Sequence, residues 1–136
     1  MSQNTARITR TITVTKEELS ETENYLKTYG FYRKLLQLDR YSQEYFSSTA
    51  YARDEYETHG ELTLAHAKMF DVRHFIMMMQ NCDEKLFLYQ HYIRGESVER
   101  CAELLGISRS SAFRLKKRAL AYAADEYAIA KKKKGE

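Results

Sequence analysis

The fold is decided by residues 83–120, which read DEKLFLYQHYIRGESVERCAELLGISRSSAFRLKKRAL. Three segments of helical apolar period are separated there by two short breaks, GES at 95–97 and LGIS at 105–108. A helix, a short helix, a Gly-containing turn and a basic helix are typical of the helix-turn-helix, whose last helix lies in the major groove of DNA. We therefore expect an all-α chain whose C-terminal part binds DNA.

Residues that can cap a helix stand before each of these segments. The expected N-caps are Asn81 or Asp83, Ser97 and Ser108. Gly95 and Gly106 can supply the left-handed backbone at which a helix ends. The spacing predicts an apolar core that comprises Leu86, Tyr89, Ile93, Val98, Cys101, Ala102, Leu105, Ile107, Ala112, Leu115 and Ala119, with Phe87 beside it.

The outer face of the third helix is left polar and basic. Residues in the first two turns of a recognition helix reach base edges, whereas the cap and later residues touch phosphates. We predict that the bases are read by Arg109, Ser110, Ser111, Phe113 and Arg114. We predict that the phosphates are contacted by Ser108, Lys116, Lys117 and Arg118. Arg114 is the best candidate for a bidentate contact to guanine, and Phe113 either meets a thymine methyl group or packs against the first helix.

Positive charge is concentrated at the C-terminal end. The net charge is +3, but from residue 106 onward nine Lys or Arg stand against three Asp or Glu, and before it thirteen stand against sixteen. The four lysines at 131–134 alone would be compatible with a solvated tail, but the other five cations lie on the third helix. Because each neutralised phosphate releases condensed counterions, this asymmetry favours binding to a nucleic acid.

The N-terminal part predicts helices that pack on each other, on the C-terminal unit or on a second subunit. Thr15 and Glu18 form a capping-box pattern that starts a helix, and Gly30 is a candidate kink. Two seams of helical period follow, one comprising Tyr25, Tyr29, Tyr32 and Leu36 and the other comprising Leu62, Ala65, Met69, Val72, Ile76 and Met79. Residues 47–60 between them predict a loop.

We divide the chain into four parts. They are a flexible arm at 1–14, which could instead be a short strand, a helical dimerisation or partner-binding region at 15–80, a helix-turn-helix at 81–130 and a basic tail at 131–136. A homodimer is expected from the apolar surface of the second part, which a lone helix cannot hide.

Several classes of protein find no support in the sequence. Proline is absent and glycine is scarce, which favours helices throughout. Cys82 and Cys101 form no CxxC pair, which suits a reducing cytosol and argues against a zinc site. The histidines show no ligand spacing, and neither a phosphate loop nor a nucleophile elbow is present, so we expect no enzyme, cofactor or metal. No apolar run or signal sequence indicates a membrane, and a cytoplasmic protein is expected.

The segments GES, AELLGIS and RAL resemble region 4 of bacterial sigma factors and the related LuxR-type motifs. The fuller run LGISRSSAFRLKKRAL resembles more specifically the ArpU-type phage regulators, small proteins that control late genes in phages of Gram-positive bacteria. The resemblance covers residues 83–120 and is weaker over 62–79. It implies binding at promoters next to RNA polymerase, with matching recognition-helix positions at Arg109, Ser110, Ser111, Arg114 and Lys117.

The chain also departs from the sigma pattern. Arg100 and Cys101 stand where region 4 usually has an acidic residue followed by isoleucine, and Ala112 stands where it has valine. No sigma region 2 is present. The resemblance therefore implies an accessory activator that does not initiate transcription alone.

Three functions follow as hypotheses. The first is a sequence-specific regulator of transcription that binds double-stranded DNA. The second is a small terminase subunit, which would mark DNA for packaging and assemble into a ring. The third is an adaptor on RNA polymerase that uses the same motif for protein contacts.

Overall fold

The protein is all-helical, as predicted. A computed structural model describes residues 13–47 and 55–134, and these ranges contain no strand. The helices are α1 (Lys16–Ser47), α2 (Glu55–Met77), α3 (Cys82–Leu88), which continues into a π-helical turn (Tyr89–Ile93), α4 (Val98–Leu105) and α5 (Arg109–Lys134). In the part of the chain described, no helix combines the length and the apolar character needed to cross a membrane. Most of the predicted N-terminal arm, residues 1–12, lies outside the described residues.

Helix α1 begins with the predicted capping box. The backbone N–H of Thr15 donates to Oε1 of Glu18 at 2.8 Å, and the backbone N–H of Glu18 donates to Oγ1 of Thr15 at 3.1 Å. These two bonds satisfy donors that the first helical turn would otherwise leave open. The helix then runs through Gly30, the candidate kink, without interruption.

The second predicted seam packs within this chain. Ala65, Val72, Ile76 and Met79 are buried, and α2 lies along α1.

Helix α2 begins earlier than the sequence predicted, because residues 55–60 are helical and not part of a loop. Gly60 lies inside this helix, where glycine lowers helix stability by about 1 kcal/mol relative to alanine. The packing of a long helix can offset this loss. Residues 48–54 of the predicted loop lie outside the described residues.

One hydrophobic core receives side chains from all five helices. Its large members are Leu26, Tyr29, Val72, Ile76, Met79, Phe87, Leu88, Tyr92, Ile93, Val98 and Leu115. Residues on both sides of position 80 thus share one core, which holds α5 against the N-terminal helices. The boundary at residue 80 between a dimerisation or partner-binding region and a helix-turn-helix stays a prediction.

Two predicted core residues are in fact exposed. Leu86 is 42% exposed, because the buried face of α3 is centred on Glu84, Phe87 and Leu88. The wider π-helical turn that follows brings both Tyr92 and Ile93 into the core, a change of register that a regular 3.6-residue period does not predict. Ile107 is 36% exposed because the turn carries it outward, and it lines a surface cleft.

Arg33 joins α1 to the end of the π-helical turn. Its Nη1 donates to the backbone carbonyl of Ile93, and its guanidinium carbon lies 5.8 Å from the centre of the Tyr29 ring. Gly95 has φ of 75°, and a Cβ built there would lie 2.7 Å from Nη2 of Arg33. The left-handed backbone therefore favours glycine at 95, and a side chain there would have to displace the Arg33 guanidinium.

We expect Gly95→Ala to lower the free energy of unfolding more than Gly106→Ala. Both glycines are left-handed, and alanine there costs about 1–2 kcal/mol. Only Gly95 has a neighbour within 4 Å, so its substitution also displaces Arg33 and should add about 1 kcal/mol. Urea unfolding of both variants measures the difference, which should disappear in an Arg33→Ala background. Equal losses in the wild-type background would show that the Arg33 contact contributes nothing.

Candidate nucleic-acid interface

Helices α4 and α5 are joined by a tight turn at residues 106–108. Ser97 caps α4 as predicted, its side chain accepting from the backbone N–H of Arg100. Gly106 ends α4 with φ of 69°, and Ser108 caps α5 by accepting from the backbone N–H of Ser111 at 3.1 Å. These local bonds fix where α5 starts, and therefore which of its residues point outward.

Small side chains let α5 lie close to α4 and α3. Ala112 and Ala119 of α5 are completely buried, and Cys101 and Ala102 of α4 are buried with them. The inward spacing predicted for α5 is confirmed at Ala112, Leu115 and Ala119. A helix buried along this line must present the opposite line to solvent.

The first turns of α5 carry an exposed face that we call the outer face. It comprises Arg109, Ser110, Phe113, Arg114 and Lys117. The Arg109 guanidinium carbon lies 5.7 Å from the centre of the Phe113 ring, so this aromatic residue supports a cation on the surface. Four of the five predicted base-reading residues are therefore brought together here, in one exposed patch.

Ser111, the fifth predicted base-reading residue, is half-buried at the edge of this face. Its Oγ accepts from the Ser108 hydroxyl at 2.9 Å and from Nη2 of Arg114 at 3.1 Å. Ser111 thus restrains the guanidinium of Arg114. A fixed guanidinium loses less side-chain entropy when it binds, which favours the planar, bidentate contacts that arginine makes.

The four residues predicted to contact phosphates have different neighbours in the structure. Ser108 and Lys117 are exposed, and Lys117 has no ion-pair partner among the described residues. Lys116 turns toward α1, where its Nζ lies 3.7 Å from Oε2 of Glu23. Arg118 donates from Nε to Oε2 of Glu84 at 2.7 Å, and the Glu84 side chain is completely buried. Three of these four residues therefore already have a structural role, because Ser108 also caps α5, and among the described residues only Lys117 has none.

Glu23 is the centre of a polar cluster that ties α1 to the C-terminal helices. It accepts a hydrogen bond from the Tyr92 hydroxyl at 2.7 Å. Burial alone would raise the pKa of Glu23, but the Tyr92 bond and the charges of Lys27 and Lys116 lower it. Burial lowers the pKa of His91 nearby, and its Nδ1 lies 2.7 Å from the Glu96 carbonyl oxygen. These contacts fit a structural role for this cluster.

Glu99 lies beside the outer face, a feature that the sequence did not indicate. Its Oε2 is 3.1 Å from Nη2 of Arg109, and both side chains are more than half exposed. The two residues are ten positions apart, and only the turn between α4 and α5 brings them together. Because exposed ion pairs contribute about 0–1 kcal/mol, a phosphate could displace Glu99 from Arg109.

A cleft of about 280 Å³ lies next to the outer face, between α5, the end of α4 and the start of α3. It is lined by Asp83, Leu105, Ile107, Ser111, Arg114, Leu115 and Arg118. The cleft lies along one side of Arg114. Its walls combine two arginines with exposed apolar surface.

The lysine run begins at the other end of α5. Lys131 is bonded to Glu21 of α1, and its Nζ lies 5.8 Å from the centre of the Tyr127 ring. At 1.5 Å per residue, Lys131 is about 33 Å along the helix from Arg109. The outer face and the lysine run are thus two separate positive regions.

Comparison of the chain with protein-family models, curated proteins and solved structures finds no match. The resemblance to sigma region 4 and to the ArpU-type regulators therefore stays a prediction, carried by residues 83–120.

Proposed function

We propose that the protein is a sequence-specific regulator of transcription that binds double-stranded DNA. In this proposal α4 and α5 form a helix-turn-helix, and α5 is the recognition helix. The observation that carries the proposal is the outer face, where three exposed cations, Arg109, Arg114 and Lys117, project from one side of a helix with a fixed start. Side chains in this position fit the major groove, which admits one α-helix.

The residues of the outer face take different roles. Arg114, held by Ser111, donates two hydrogen bonds to O6 and N7 of a guanine. Ser110 lies between the two arginines in sequence and contacts a neighbouring base edge. Lys117, one turn further along, and the Ser108 cap contact phosphates. The fixed positive end of the α5 dipole adds to the attraction of phosphates near Ser108.

The resemblance to phage late-gene regulators favours an activator that acts at promoters beside RNA polymerase. The exposed Leu86 and Leu104 offer apolar surface on the helices that flank α5, which suits a protein neighbour. The adaptor hypothesis shares this observation. The two differ because an adaptor would not need Arg114 or Lys117.

Selection of bound sequences from a random duplex library, at a stated salt concentration, tests the proposal. We expect one enriched motif, with binding that weakens as salt rises. Enrichment of no motif, together with undetectable binding at low salt, would contradict it. A ring-shaped assembly bound at a packaging site would instead identify a terminase subunit.

We expect Glu99→Gln to tighten DNA binding. The substitution removes a negative charge from the edge of the outer face and frees Arg109 for DNA. An exposed pair of this kind contributes about 0.2–1 kcal/mol, so the affinity should rise by up to about fivefold. Fluorescence anisotropy on one duplex measures this change, with Glu17→Gln, near the far end of α5, as the charge-matched control. Equal affinities for wild type and Glu99→Gln would show that Glu99 does not face the DNA.

A further inference from the structure

Phe113 lies at the surface of α5, apart from the hydrophobic core of the described residues. It is 43% exposed, and it belongs neither to the buried residues of that core nor to the partly buried ones packed against them. Its neighbours in sequence on the inner side of the helix, Ala112 and Leu115, are buried instead. The Phe113 ring is therefore part of the outer face.

Two charged side chains brace the Phe113 ring along the edge of the outer face that is next to α4. The guanidinium carbon of Arg109 lies 5.7 Å from the centre of the ring, and Nη2 of Arg109 lies 3.1 Å from Oε2 of Glu99. A cation at this distance attracts the face of an aromatic ring. Because Arg109 begins α5 and Phe113 follows it by one turn, the contact restrains the ring in the part of the helix that reaches base edges.

Phe113 differs in chemistry from the rest of the outer face. The other four members, Arg109, Ser110, Arg114 and Lys117, all carry hydrogen-bond donors. Ser110 and Lys117, three residues before Phe113 and four after it, are its neighbours on the helix surface. A single apolar side chain thus lies among polar ones that suit hydrogen bonding to DNA.

The major groove offers one apolar group that matches such a side chain. Base edges there present donors and acceptors of hydrogen bonds, and thymine adds the methyl group at C5. The base 5-methylcytosine carries the same group at the same ring position. A phenyl ring gains free energy by removing a methyl group from water. Against a phosphate it would displace water from a charged group and give no hydrogen bond in return.

We infer that the Phe113 ring recognises the C5 methyl group of one pyrimidine in the bound DNA. At that position the protein binds thymine more tightly than uracil, and 5-methylcytosine more tightly than cytosine. Its affinity for a site with cytosine at this position therefore depends on methylation of that base. The inference rests on the proposed function, because it requires α5 to lie in the major groove.

Replacing thymine by uracil in the selected DNA site tests the inference without changing the protein. Each thymine is replaced in turn, which removes the methyl group and keeps every hydrogen-bonding atom of the base. We expect one position at which the affinity falls about fourfold, as for one methyl group removed from water on binding. A 5-methylcytosine–guanine pair at that position should bind more tightly than a cytosine–guanine pair by the same factor. Fluorescence anisotropy at one salt concentration measures all four duplexes.

Variants of the protein assign the methyl group to Phe113. Phe113→Ala should bind the thymine and uracil duplexes equally, whereas Phe113→Leu, which keeps an apolar side chain, should keep part of the preference. Leu104→Ala is the matched control, because Leu104 is 45% exposed on α4 and is not part of the outer face. It should keep the fourfold ratio. Each result is a ratio of two affinities of one variant, so a smaller folded fraction does not imitate it.

The outcomes separate this inference from the proposed function. A selected site that contains no thymine, or in which no thymine responds to uracil, would overturn the inference and leave sequence-specific binding intact. A methyl preference that persists unchanged in Phe113→Ala would also overturn it, since another side chain would then meet the methyl group. If Phe113→Ala fails to fold, the uracil series on the wild-type protein together with Phe113→Leu decides. A library selection that enriches no motif would contradict the proposed function itself.

Discussion

Arg114→Ala is expected to lower the affinity for the selected DNA site by about 1–3 kcal/mol, roughly five- to 150-fold. Arg114 is exposed on the outer face, and Ser111 restrains its guanidinium. Under the proposed function its loss removes a bidentate base contact. Binding to sites that differ at the corresponding base pair should then become nearly equal. Anisotropy titrations against the selected site and its single-base variants measure both effects.

Lys117→Ala is the matched control for that experiment. Lys117 is exposed on the same face, but we assign it to a phosphate, so its removal should weaken all sequences alike. The slope of log K against log salt should flatten by about 1. If the two variants had the same effect on every sequence, the base-reading role of Arg114 would be wrong.

Arg118→Ala is expected to reduce the free energy of unfolding by about 2–4 kcal/mol. It removes the Arg118 charge that lies 2.7 Å from the completely buried Glu84 carboxylate, and removing one member of a buried pair is destabilising. The value lies toward the lower end of the usual range because the Arg118 side chain is half exposed. Denaturant unfolding measures it, and Lys117→Ala, one position away and exposed, should change stability by less than about 0.5 kcal/mol.

A double variant separates the charge pair from packing. Glu84→Leu combined with Arg118→Met replaces both charges with apolar side chains of similar length, which is often neutral. We therefore expect it to restore most of the stability lost in Arg118→Ala. A loss in the double variant as large as in Arg118→Ala would mean that the ion pair itself does not account for the effect.

The starts of α1, α4 and α5 were predictable because capping is a local interaction, whereas α2 starts inside the predicted loop and Asn81 makes no side-chain cap bond to α3. Thr15, Ser97 and Ser108 each bond a backbone N–H three residues ahead, so sequence alone places them. The buried spacing of α5 followed from its start at Ser108. The outer face was predicted for the same reason, because it comprises residues in the first turns of α5 that do not face the core.

The partners of the cations were not predictable, because they depend on contacts between distant segments. Lys116 meets Glu23, 93 positions earlier, and Arg118 meets Glu84, 34 positions earlier. No local pattern marks such pairs. The exposure of Leu86 was missed for a related reason. Glu84 is buried together with Phe87 and Leu88, so Leu86 lies outside the buried face of α3, and the π-helical turn then changes which residues face the core.

In the proposed complex the outer face of α5 lies against bases in the major groove. A photoreactive group on Ser110→Cys, in a Cys82→Ser background, tests it most directly, because Ser110 is exposed in the middle of this face. We expect cross-links to bases of the selected site, and none from the same group on Gln43→Cys of α1. Bound DNA that cross-links from neither position, or only from Gln43→Cys, would contradict the claim.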